Sequence, residues 1–595
     1  MRRSTGLSPR AIALGGNDPD ARGNNIKTCA WGRPGRLATG CGKVAAALLG
    51  GVLLVGGGAV ESPAAAASCA KLANAVVPNG SITAAQSIPA GNYTAPSGTV
   101  YPNMPAFCRV AATLTPTSDS LIRIEVWMPV NDWNNAYLAT GGGGYTGTIN
   151  YGELSDGLVQ GFATANTDMG TSPATALDGR ALTGHLQKQI DFAYRSTHLM
   201  NVLAKELIAD FYSQDPEYSY YYGCSTGGGQ GMHIVEQYPD DYDGVVAGAP
   251  AINRTHSGTF WNFFVTHESP DSVIPEDKAT LVTDAVLAAC ATKSGGLATD
   301  AFLTDPRACH WRPASLACPS NAADTSSCLT PGQARALNLV YDGSHNPRTG
   351  HLIFPGMMRG AESGYTFDLP ALEGLSPFFP SDVPLFPGTY YWVFGNNWDY
   401  RDFDFDHDQA EVDRQKGFLN ALDTTLTPFA SHGGKLIMFH GFADALISPQ
   451  MTIDYYLLVQ RALQQKDQDQ AQAMAEEQSF FRLFLAPGMG HCSGGPGPNA
   501  LGQLGGTPVP ADAQHNVLQA LVRWVKTGTP PSTVVATKYV NDTPANGVLM
   551  TRPLCPFPEL PRYAGSGDPT DAASFACVDD GVHYNPTPAP EYLKD

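Results

Sequence analysis

SYYYGCSTGGGQGMHIVEQYP (219–239) reads as a strand, a tight turn and a helix in direct succession. The β-rich run SYYYG ends in Gly223-Cys224-Ser225-Thr226-Gly227, and MHIVEQYP continues with helical character. A G-x-S-x-G pentapeptide in that setting puts a serine on a sharp elbow with its Oγ exposed, and small flanking residues permit the turn. The main-chain N–H of Thr226, where the helix starts, is then placed to donate to a developing oxyanion. In a chain with 63 glycines the pentapeptide alone is a weak signal. Its setting makes Ser225 a candidate nucleophile.

Working outward, strands and helices alternate. LIRIEVWMPV (121–130) and NAYLATG (135–141) read as strands bounded by turn residues, and Gln189 to Phe211 as an amphipathic helix. After a long interval the rhythm resumes with KLIMFHG (435–441), PQMTIDYYLLVQRAL (449–463), FFRLFLAPG (480–488) and a helix near Gln514–Lys526. This pattern predicts an α/β layer fold. The interval, from about 251 to 430, is rich in Pro, Gly and aromatics, has local helical character at Lys278–Cys290, and reads as a second domain inserted into the first. The expected organisation is an N-terminal extension over 1–67, a body over 68–250, an insert over 251–430, and the rest of the body with a Pro-rich tail over 431–595.

A serine hydroxyl needs a base to take its proton, and in this kind of fold the order is Ser, acid, His. HGFAD puts Asp444 just beyond the strand KLIMFHG, and PGMGHC puts His491 just beyond FRLFLAPG. His233, within the helix after the elbow, and His440, within a strand, are worse placed. Gly141-Gly142-Gly143-Gly144 ends an early strand, where a second oxyanion donor belongs, and Gly143 is the residue chosen for it. A phosphate-cradling loop would need a following Lys-Ser/Thr, which is missing.

Residues 44–60, VAAALLGGVLLVGGGAV, follow Arg33, Arg36 and Lys43 and precede Ala64-Ala65-Ala66-Ala67. That arrangement reads as an export signal cleaved near Ala67, hence a secreted or periplasmic protein with no stable membrane span after processing. Loss of 1–67, with eight Lys/Arg and three Asp/Glu, takes the formal charge from −19 to −24. Such an acid excess argues against nucleic acid and anionic membranes as partners. Two of the twelve cysteines, Cys29 and Cys41, leave with the signal. Spacing suggests local pairs among the other ten, Cys69–Cys108, Cys290–Cys309, Cys318–Cys328 and Cys555–Cys577, with Cys224 and Cys492 left over; connectivity stays open at this level. No CxxC pair occurs, which argues against zinc.

YYYGCSTGGGQGM (220–232), GGKLIMFHGFADALISP (433–449) and PGMGHC (487–492) resemble the tannase/feruloyl esterase family, as do SCAKL, FCRV and CLTPGQ (328–333). The resemblance spans nearly all of the chain after the signal. It implies an α/β-hydrolase body with a large inserted, disulfide-stapled lid domain, Ser225 as nucleophile, His491 as base, Asp444 as orienting acid, and a Cys224–Cys492 bridge. It also implies a calcium loop in the lid, which falls here on CATKSGGLATDAFLTDP (290–306). Asp300 and Asp305 remain there and Phe302 has a carbonyl to offer, but Ala291 and Lys293 or Ser294 replace early carboxylates, and a lysine opposes a hard cation. No cofactor is expected for the chemistry itself.

The function these readings imply is a serine esterase acting on small-molecule aromatic esters, of the feruloyl esterase or tannase type. Trp392, Trp398, Arg401 and Phe403 are the expected substrate contacts, with Tyr400 and Phe405 in the same aromatic cluster; the other reading of the cluster is insert core. Two alternatives are an esterase for aliphatic or hydroxyacid esters and a secreted carbohydrate- or surface-binding module.

Overall fold

A computed structural model of the chain describes residues 68–364, 386–464, 469–579 and 591–593. The signal reading, on 1–67, lies outside them. All described residues belong to one compact unit, Pro63–Asp595.

The centre of the molecule is a nine-stranded sheet. Its strands are β1 (Gly80–Ile88), β2 (Phe107–Leu114), β3 (Ile122–Pro129), β4 (Ala136–Thr140), β5 (Ala163–Thr167), β6 (Tyr218–Cys224), β7 (Gly244–Gly248), β8 (Lys435–Gly441) and β9 (Phe481–Ala486). They lie in the order β1-β2-β3-β5-β4-β6-β7-β8-β9. The first three pairings are antiparallel and the remaining five parallel. Every residue of β4, β5 and β7 is buried, as expected of parallel strands covered on both faces.

Side chains alternate across the strands with period two, so each strand feeds two cores. Tyr221, Val245, Met438 and Leu483 face the helices Ser196–Tyr212, Thr226–Gln237 and Pro449–Leu463. Tyr220, Tyr222, Val246, Ile437, Phe439 and Phe484 face the helix Val517–Thr527 through Leu518, Leu521 and Trp524. That last helix is capped by Asn516, which accepts from the Gln519 N–H, and ends at Gly528 in the left-handed region. Full burial of each of its large apolar side chains contributes roughly 1.5–3 kcal/mol.

The helix expected over Gln189–Phe211 is built in pieces. Leu186–Ile190 leads through a wide turn at Asp191–Arg195 into Ser196–Tyr212, and Asp191 holds Arg195 within that turn. Between β7 and β8 the chain leaves the sheet and builds helices at Gly258–Thr266, Glu276–Cys290, Pro331–Asp342 and Gly388–Phe394. The Pro-rich tail is more ordered than its composition indicates. It pairs Val534–Tyr539 with Val548–Leu554 and Leu560–Tyr563 with Phe575–Val578. No helix among the described residues is long and apolar enough to cross a membrane.

Candidate active site

Parallel strands end on one edge of the sheet, and β6, β8 and β9 deliver three loops there. Ser225 follows β6 directly, with φ 62° and ψ −119°. A non-glycine residue in the left-handed half of φ space is strained, as a nucleophile elbow requires. The turn is held by the Ser225 N–H donating to the Gly248 carbonyl (3.0 Å) and by the Ser225 carbonyl accepting from the Ala251 N–H (3.0 Å). Glycine is obligatory at Gly223, where a Cβ would lie 2.4 Å from the Gly227 carbonyl group.

Asp444 follows β8 and is wholly buried. Its Oδ1 accepts from the Leu446 and Ile447 N–H groups (2.8 and 2.9 Å), and its Oδ2 from His491 Nδ1 (2.7 Å) and His440 Nε2 (3.0 Å). Burial alone would raise this carboxyl. The adjacent His491 imidazole and the hydrogen bonds from His440 and His491 outweigh it and hold the group well below the usual carboxylate range. With Nδ1 committed to Asp444, Nε2 of His491 is the nitrogen left to take a proton. Ser225 and His491 line the same pocket, together with Tyr145, Arg254, Phe354 and Phe386. His233 lies apart, buried against the Leu419 carbonyl and pushed down to about 4 by that burial.

The glycine loop after β4 reaches the elbow from the other side. Gly142 accepts from the Gly227 N–H (2.8 Å), and Gln230 Oε1 accepts from the Gly142 N–H (3.0 Å). Among the described residues the main-chain N–H groups of Gly143 and Thr226 meet no acceptor, and a Cβ at Gly143 would meet nothing within 4 Å. Both amides are therefore available to an incoming oxygen.

Sequence comparison decides the family. The family described as "Tannase and feruloyl esterase" matches residues 108–370 and 387–578. The chain belongs to the tannase and feruloyl esterase family. It is 35% identical over 561 residues to an uncharacterized esterase of Xanthomonas campestris pv. campestris, covering 90% of this chain and 95% of that one. It is 34% identical to a probable feruloyl esterase B-1 of Aspergillus oryzae, covering 80% of this chain and 84% of the relative. The crystal structure of feruloyl esterase B from Aspergillus oryzae superposes with a TM-score of 0.76 at 32% identity, covering 86% of this chain and 99% of that one. The protein is a carboxylic ester hydrolase.

Among the described residues five disulfides tie this tannase-family chain together: Cys69–Cys108, Cys224–Cys492, Cys290–Cys309, Cys318–Cys328 and Cys555–Cys577. Cys224–Cys492 joins the residue before Ser225 to the residue after His491, with Cα atoms 6.0 Å apart. Cys492 is itself at φ 60°, so the bond clamps two strained loops to each other. It closes a span of 268 residues, for which chain entropy gives a stabilisation of about 5 kcal/mol. Cys224→Ala with Cys492→Ala should lower unfolding free energy in urea by about 3–5 kcal/mol and turnover by at least about tenfold. Unchanged values for both would make the bridge incidental.

The four residues expected to contact substrate do not line the pocket, and the reason is packing. Trp392 is buried with its Nε1 donating to the Gly179 carbonyl (2.8 Å) and its ring 5.5 Å from that of Tyr145. Phe403 is buried against Phe260 and Tyr390, and Trp398 stacks on Phe394. Arg401 is exposed, paired with Asp399 over the Tyr400 ring. Trp398 and Phe403 belong to the core of the inserted segment and Trp392 to its seam with Tyr145 and Phe192, while the phenylalanines that the segment brings to the pocket are Phe354 and Phe386.

The calcium expectation also meets the geometry poorly. Asp300 Oδ1 accepts from Arg552 Nη2 (2.9 Å) and Oδ2 from the Leu297 N–H (3.0 Å), while Asp305 pairs with Arg307. Phe302 is buried, and Arg562 donates to the Ser294 carbonyl (3.0 Å). Guanidinium groups already neutralise the carboxylates a hard cation would need, so these residues do not fit calcium. His440, weighed above only as a rival base, instead supports Asp444 from four positions upstream; Arg254, which carries no motif, is a further pocket residue that the sequence did not announce.

Proposed function

We propose that this chain hydrolyses carboxylic esters of phenolic acids by a Ser-His-Asp acyl-enzyme route. The observation that carries the reading is the 2.7 Å bond from His491 Nδ1 to the buried Asp444, at a pocket shared with a serine on a strained elbow. The names of the relatives, probable feruloyl esterase B-1 and feruloyl esterase B, support the aromatic acyl group.

His491 Nε2 removes the Ser225 proton as Oγ attacks the ester carbonyl. The carbonyl electron pair moves onto oxygen, and the N–H groups of Thr226 and Gly143 receive that charge. Collapse of the tetrahedral intermediate expels the alcohol, protonated by His491. Water, deprotonated by the same imidazole, then releases the acid from Ser225. The inserted segment acts as a lid that supplies Phe354 and Phe386 as aromatic wall. No step needs a metal. The disulfides and the apolar run at 44–60 support a secreted or periplasmic enzyme.

A substrate panel tests the acyl preference. Methyl ferulate and methyl gallate should exceed methyl esters of aliphatic acids of similar size by at least about tenfold in kcat/KM, the order of discrimination one apolar pocket contact supplies. Preference for the aliphatic esters would favour the alternative reading, for which Leu446, Ile447 and Met451 in the pocket wall would be the cause.

A further inference from the structure

Arg254 lines the pocket beside Ser225 and His491, and no described carboxylate stands among the groups that act on its charge. Its guanidinium lies 4.9 Å from the Phe192 ring centroid and 5.9 Å from that of Tyr145. Its own backbone is anchored by its N–H donating to Asn420 Oδ1 (2.7 Å). A guanidinium that faces no described carboxylate is costly to bury, and burial here opposes the charged form, with the Tyr145 hydroxyl supporting it in part. The aromatic faces compensate only in part. Such an arrangement is sensible where an anion arrives during function.

One side-chain contact ties this cation to the oxyanion donors. An Arg254 Nη2 N–H donates to Thr226 Oγ1, and the Thr226 hydroxyl donates to the Gly144 carbonyl (2.9 Å). A single hydroxyl thus joins the elbow, the glycine loop and the guanidinium. Thr226 and Gly143 own the amides at the elbow that meet no acceptor among the described residues. We propose that Arg254 is a positioning residue of the oxyanion site: through Thr226 it locks the two amide donors in register, and its charge favours the oxyanion and the carboxylate of the released acid. This rests on the esterase reading above, and it assigns Arg254 to the reaction's own anions, not to a permanent charge on the substrate.

The test uses the full chain with Arg254→Met, Arg254→Lys and Thr226→Val, methyl ferulate as substrate, and ferulate and its neutral primary amide as inhibitors. Arg254→Met should lower kcat by about 30- to 100-fold with KM within about twofold, since oxyanion donors released from their register and the loss of a nearby charge act on the transition state. Inhibition by ferulate should weaken at least about tenfold and inhibition by the amide should not change, a split that a purely structural role would not give. Arg254→Lys should restore part of both. Thr226→Val, which keeps the amide and removes the hydroxyl, should lower kcat and make Arg254→Met less costly when the two are combined. If Arg254→Met does not fold, the Arg254→Lys and Thr226→Val results decide the matter by the same ferulate-against-amide comparison. The inference is overturned if kcat is unchanged, if both inhibitors weaken equally, or if the loss is confined to an ester bearing an extra carboxylate, such as 4-nitrophenyl hemisuccinate. Absence of wild-type turnover on every ester would sink the proposed function and this inference with it; wild-type turnover matched by Arg254→Met would sink the inference alone.

Discussion

Ser225→Ala should reduce kcat on methyl ferulate and methyl gallate by on the order of 10⁵–10⁶, with KM within a few-fold. Alanine removes the only atom able to form the acyl-enzyme and leaves the pocket walls, the Thr226 and Gly143 amides and the His491–Asp444 pair in place. What survives is the small acceleration that binding and an oxyanion site give to attack by water. The fold should tolerate the change. Residue 225 sits at φ 62°, a conformation as costly for alanine as for serine, so neither gain nor loss of stability beyond about 1 kcal/mol is expected. Steady-state kinetics and a thermal melt on the same preparation check both halves.

Asp444→Asn should cost about 10⁴-fold in kcat, for a different reason. The carboxylate accepts four hydrogen bonds, two per oxygen. The Leu446 and Ile447 amides will keep the asparagine oxygen on their side, so its NH₂ group must face His491 Nδ1 and His440 Nε2. His491 then either turns away or adopts the tautomer with its proton on Nε2, and in both cases it cannot accept from Ser225. The change also buries donors against donors, so unfolding free energy should drop by about 1–3 kcal/mol. Asp444→Asn with unaltered kcat would remove Asp444 from the mechanism.

Much of the body was legible because its signals are local. The strand Lys435–Gly441 and the helix Pro449–Leu463 coincide with the runs read from periodicity, since uninterrupted apolar stretches and an amphipathic face are written in consecutive residues. Ser225, Asp444 and His491 were placed just past strand ends, and parallel pairing of β8 with β7 and β9 puts those ends on one edge. The pocket wall was less accessible. Phe354 and Phe386 come from a segment with little periodicity, whereas the eye-catching aromatics are consumed by packing, Trp398, Phe403 and Phe405 on Phe260 and Trp392 on Tyr145 and Phe192. Partners far apart in sequence were invisible too: the Asp300–Arg552 pair spans 252 residues, and nothing around Asn253-Arg254-Thr255 announces a cation that meets no carboxylate among the described residues.

The most direct test of the central claim is covalent. A fluorophosphonate should add to one residue of the intact chain, Ser225, with hydrolysis of methyl ferulate lost in proportion to the labelled fraction measured by peptide mass. Labelling should be abolished by Ser225→Ala and slowed by Asp444→Asn, because only a serine activated through His491 attacks phosphorus at a useful rate. Full esterase activity in a chain whose Ser225 carries the label, or a stoichiometric adduct on another serine, would contradict the account.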